Sequence, residues 1–145
     1  MGDFRDVYER NAELKLAAQA YVKNPTRGSM FELLAEIVAR ISEECEVIVP
    51  MILEGERISY DTISDGQDEW IQVFTDWEEL TLKRAPEYIM GLPIRCVVED
   101  AFESRKAEGI ILNLHSDEVF LGKEELDWVL EMLALRGMNE DEEGM

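Results

Sequence analysis

The chain has 145 residues, 46% of them hydrophobic, which suits one domain with core material enough to fold without disulfides or metals. Its 33 acidic and 14 basic residues give a formal net charge of −19, and the excess is spread along the chain rather than confined to Glu140, Asp141, Glu142 and Glu143 near its end. No Lys/Arg cluster is present to neutralise phosphates, which argues against nucleic acid and anionic membranes; a basic protein is the better-matched partner, and solubility is the plainer use of the charge.

Residues 4–22 read as a helix, because Val7, Asn11, Leu14, Ala18 and Tyr21 recur at helical spacing. Asp3 is placed to cap it, and Asn24-Pro25 to end it, since a residue before proline avoids the helical region. A second helix is predicted over 30–43, with Ser29 and Glu32 as a capping box and Met30, Phe31, Leu34, Ile37, Val38 and Ile41 as its core face.

Three strands follow as an antiparallel meander: Val47–Leu53, apolar on both faces, then Arg57–Ile63 and Glu69–Phe74, with turns at Glu54-Gly55 and Asp65-Gly66. Thr75 and Glu78 suggest a capping box that starts a short helix reaching about Ala85, and Glu87–Met90 a short strand. Pro93 suits the first position of a helix whose stripe is Ile94, Val97, Val98, Ala101, Phe102 and Arg105, with Gly109 as its terminator. Strands at Ile110–Leu114 and Glu118–Leu121 and a helix over 123–135 complete the pattern, and residues 137–145 read as a disordered acidic tail.

The pattern defines an α+β fold: a mixed, largely antiparallel sheet of five to six strands packed with about five helices, in a single domain over 1–136. The N-terminal segment MGDFRDVYER is charged and unlike a signal peptide, no apolar run approaches the length of about 20 residues that spans a bilayer, and Cys45 and Cys96 form no CxxC pair. Reduced thiols and a cytoplasmic location follow as expectations.

Searching for chemistry yields little. His115, the only histidine, lies beside Ser116 and Asp117, but sequence neighbours rarely face one another as a triad requires, so it reads as a loop residue. Cys45 alternates with Val47 and Val49 as a core residue. Cys96 lies opposite its helix's apolar stripe among Asp100 and Glu103, a passive thiol beneath another element. The acidic stretch from Asp61 to Glu69 fails the EF-hand pattern, having Ile63 and Gln72 where positions 3 and 12 need oxygen ligands. No cofactor or metal site is expected. An enzyme or ligand-binding alternative would need a pocket joining Asn113, His115, Thr75 or Glu78.

The last helix is the most informative segment. Beside a core face of Leu126, Val129, Leu130 and Leu133 it suggests a second apolar stripe of Leu121, Trp128, Met132 and Leu135. A helix with two apolar stripes is covered twice. The cover is either the N-terminal helix, through Val7, Leu14 and Tyr21, or a protein partner or second copy anchored on Trp128.

Val47-Ile48-Val49-Pro50, then Val73-Phe74-Thr75-Asp76-Trp77-Glu78-Glu79-Leu80, then Gly109-Ile110-Ile111-Leu112-Asn113, resemble the N-terminal domain of the SseB family, the bacterial family named for enhanced serine sensitivity. The resemblance spans residues 8–134; where the family shows Asn-Pro, this chain has Asn113-Leu114. It implies an α+β domain of uncharacterised biochemical role and supplies no catalytic residues. Together these features point to a non-catalytic protein–protein interaction domain, with an acidic immunity or decoy protein against a basic target as a further alternative.

Overall fold

The computed structural model describes residues 4–82 and 86–143, with side chains over 6–82 and 86–137. The predicted first helix is two, α1 (Phe4–Arg10) and α2 (Ala12–Lys23), broken at Asn11. Its apolar spacing runs through Asn11, but that residue is 1% exposed and its amide is drawn to other elements: Nδ2 donates to the carbonyls of Glu46 at 2.7 Å and Thr75 at 2.9 Å. The break lets Val7 join one apolar cluster while Leu14 and Ala18 enter another. The proposed cap Asp3 lies outside the described residues.

Helix α3 (Arg27–Ser42) starts three residues earlier than expected. Thr26 is its N-cap and Ser29 closes the capping box, each side chain accepting the other's backbone N–H, the part assigned to Glu32. Phe31, expected in the core, is 49% exposed, whereas Leu33 is fully buried.

Strand β1 (Glu46–Glu54) pairs antiparallel with β2 (Arg57–Tyr60), and β3 (Thr62–Ser64) with β4 (Glu69–Val73). The predicted middle strand is thus divided at Asp61, whose N–H donates to Pro50 O. Gly66 turns the second hairpin with φ of 103°, a conformation that costs side-chain-bearing residues energy. Asp65 completes this loop, one oxygen accepting the N–H groups of Gln67 and Asp68 and the other the Trp70 indole.

Helix α4 (Trp77–Thr81) is capped by Asp76, which accepts from Glu79 N, rather than by Thr75 with Glu78. The rest of its predicted length falls partly on residues 83–85, outside the described residues. Strand β5 (Tyr88–Pro93) leads into α5 (Ile94–Glu103), then β6 (Ala107–Leu112), β7 (Val119–Gly122) and α6 (Lys123–Glu143). Pro93 immediately precedes α5. Gly109 is not a helix terminator but a strand residue: a Cβ there would lie 2.0 Å from Leu121 O on the neighbouring strand. Instead, Ser104 ends α5, and the Lys123 ammonium donates to the carbonyls of Ala101, Phe102 and Ser104, where a cation suits the helix's negative end. Helix α6 continues past Gly137 through the acidic segment expected to lie beyond it.

The fold is α+β, with two sheets ordered β2-β1-β5 and β3-β4-β6-β7 in place of one. The β4–β6 pair is parallel and the other strand pairs are antiparallel. A bridge between Ile48 and Phe74 joins the sheets. The main core collects Leu33, Ile37 and Ile41 of α3, Val97 and Val98 of α5, and Leu126 and Val129 of α6 against both sheets. Across the sheet, Ile48, Phe74 and Leu80 form a second small cluster with Val7 and Ile89.

Candidate functional site

The polar groups named as a possible pocket do partly converge, but as a buried knot. Thr75 and Asn113 are both 0% exposed. Thr75 N–H donates to Asn113 Oδ1 at 3.0 Å, and Asn113 Nδ2 donates to Thr75 Oγ1 at 3.2 Å. Asn113 adopts φ of 51°, a left-handed conformation that asparagine tolerates, and its backbone receives Ser116 N–H and Glu118 N–H. Glu78 remains exposed, and Asp76 and Glu79 are the buried carboxylates instead. Ser116 donates to Glu79. The His115 ring packs 5.2 Å from Phe74, centroid to centroid.

Lys15, which the sequence reading missed, closes the knot from α2. Its Nζ lies 3.1 Å from Asp76 Oδ2 and 3.3 Å from Glu79 Oε1. Burial pulls its pKa down, but hydrogen bonding and charge from Asp76, then from Glu79, outweigh it and hold the pKa above the ordinary lysine value. Asp117 is held above the ordinary carboxyl value: burial raises it, the Asn113 amide opposes, Glu79 raises it further and Lys15 opposes. The only hint in sequence was a lysine between Leu14 and Leu16. The Thr75–Asn113 pair faces inward with its groups engaged by each other, so the knot's evident work is to tie α2, the β4–α4 turn and the loop after β6 together.

No group of three or more His, Cys, Asp or Glu among the described residues could hold a metal ion. The two cysteines, distant in sequence, line one cavity of about 520 Å³ together with Arg95 and Arg136. Cys45 is buried and burial pushes its thiol pKa up, whereas Cys96 is exposed rather than covered by another element.

The second apolar stripe of α6 is rearranged. Leu121 belongs to β7 and is 2% exposed within the core, so it is not part of the stripe. Trp128 and Met132 are half-buried and Leu135 is 52% exposed. The internal cover of Trp128 comes from α3, not from the N-terminal helix: Phe31 and Trp128 meet at 5.8 Å between centroids. Between the two helices lies a groove of about 280 Å³ walled by Ala35, Val38, Trp128, Met132, Leu135 and Arg136. Arg136 donates to Ser42 Oγ at 3.0 Å.

The same two helices carry exposed carboxylates. Glu124 and Glu131 stand one helical turn before and after Trp128, and Glu32 one turn before Ala35. Among the groove's own walls the one charged residue is Arg136.

Compared with known proteins, the chain matches no family model, no curated protein and no solved structure. Among the described residues, no helix is long and apolar enough to cross a membrane.

Proposed function

We propose that this chain is a non-catalytic protein-binding domain of the cytoplasm, related to the SseB family, that receives an amphipathic helix carrying Lys or Arg beside its apolar anchors. One observation carries the reading: the α3–α6 groove is walled by Trp128, Met132 and half-exposed Leu135, on a chain of net charge −19. A helix laid in an apolar groove is a common recognition mode, and tryptophan is a favoured anchor. The exposed carboxylates of Glu32, Glu124 and Glu131 on the same two helices supply the complement to a basic flank and speed encounter. The family relationship rests on the resemblance of residues 47–50, 73–80 and 109–113.

The test uses a synthetic helical peptide of leucine and lysine at amphipathic spacing, with its leucine–glutamate counterpart as control, followed by titration calorimetry. The lysine peptide binds, weakens as salt rises, and loses about tenfold in affinity, roughly 1.4 kcal/mol, to Leu135→Glu, whose far-UV spectrum stays native. Equal binding of both peptides, or unchanged affinity in Leu135→Glu, refutes the assignment.

A further inference from the structure

Strand β5 offers a second, independent surface. Its sequence, Tyr-Ile-Met-Gly-Leu-Pro, has no charged residue in a chain that is 32% charged. Among the described strands it pairs only with β1, so it forms one edge of its sheet. Tyr88 and Met90 are 41% and 40% exposed. Natural edge strands are ordinarily blunted by charges, bulges or covering elements, because a bare edge is a template for another strand.

The hydrogen-bond phase of this edge can be derived. Ile48 on β1 directs both its N–H and its C=O to Phe74, away from β5. Its β5 partner in register is Gly91, and Pro50 faces Ile89. Neighbouring residues on a strand alternate in direction, so Val47, Val49 and Met51 bond to Leu92, Met90 and Tyr88. The N–H and C=O groups of Ile89 and Gly91 therefore face away from β1, on the side where no described strand pairs with β5. Pro93 falls in the same outward phase, where its missing N–H leaves no β1 bond unmade.

We infer that β5 pairs antiparallel with β5 of a second copy of this chain, about a twofold axis through Met90. Ile89 of each copy then exchanges N–H···O bonds with Gly91 of the other, giving four bonds, and Tyr88 lies opposite Leu92. Two three-stranded sheets become one of six. A second copy is the occupant because the strand is self-complementary in this register. Antiparallel pairing also brings the Glu87 end of each strand to the Arg95 end of the other, and Arg95 is exposed. The other uncharged edge strands are short: β3 has three residues between Asp61 and Asp65, and β7 has four between Glu118 and Lys123.

Sedimentation of the full chain across micromolar concentrations tests this. The expected result is a concentration-dependent dimer that tightens with salt, because salt screens repulsion between two acidic chains. Binding of the basic helix to the α3–α6 groove weakens with salt, so failure of either proposal is distinguishable from failure of the other. Met90→Lys places two ammonium groups across the axis and shifts dissociation at least tenfold toward monomer, while Leu135→Glu leaves the dimer intact. As a second readout, Met90→Cys in a Cys96→Ser background forms a disulfide-linked dimer on mild oxidation. A chain that stays monomeric without forming that cross-link, or a dimer indifferent to Met90→Lys, overturns the inference.

Discussion

Replacing Lys15 with methionine would leave Asp76 and Glu79 without the one cation that the described residues place within 4 Å of both. Their side chains are only 1% and 6% exposed, and that of Lys15 is 18% exposed. Removing one partner of a buried pair costs about 3–5 kcal/mol, because the remaining charge is stranded. The lower end applies here. Asp76 keeps the Glu79 N–H and Thr75 hydroxyl as donors, and Glu79 keeps Ser116. With a urea slope of about 2 kcal/mol per molar, a loss of about 3 kcal/mol lowers the unfolding midpoint by about 1.5 M.

The penalty has a pH signature. The raised pKa of Lys15 contributes stability that is fully present below its unfolded value of 10.5 and is lost only as pH climbs through the folded one, so it is constant at acid pH. Urea melts of both proteins should therefore show a smaller difference above pH 10.5 than at about pH 7. Equal midpoints at neutral pH, or the same loss at both pH values, would refute the stranded-charge account.

Two further substitutions probe the frame. Gly109→Ala drives a methyl into Leu121 O and should cost about 3 kcal/mol in urea unfolding, whereas loss of a helix terminator would leave the β6–β7 pair undisturbed. Asp117, its pKa raised by burial and by Glu79, is penalised as a charge above its folded value. Asp117→Asn should accordingly raise the melting temperature at neutral pH, the gain vanishing as pH falls through that value; a lower neutral melting temperature contradicts this.

Periodicity made α5 legible, since Ile94, Val97, Val98 and Ala101 are all buried as their spacing requires. It misled at Asn11, because an apolar repeat says nothing about carbonyls that reach a residue from distant strands. Cap positions slipped at Thr26 and Asp76 because several adjacent residues could each accept an orphan N–H, and only the folded chain selects among them. Gly109 shows the reverse problem: glycine's local meaning is a terminator, while its use here is the close approach of β7. The apolar stripe of α6 includes Trp128 and Met132, which line the groove against α3, but it enlisted Leu121, which belongs to β7. Lys15 was invisible because its partners lie more than 60 residues away.

The parallel pairing of β4 with β6 has a consequence for synthesis. Everything between them, α4, β5 and α5, is an excursion, and β5 leaves it to complete the other sheet. Neither sheet can be finished as the unit of one contiguous stretch. As the chain is made from its N-terminus, β1 has β2 beside it early, but its remaining edge stays bare until residues 88–93 have been added. Through that interval Val47 and Val49 have unpaired backbone in a strand that is later buried on both faces. The nascent protein is therefore most exposed to wrong strand partners at the place where the finished one is most secure.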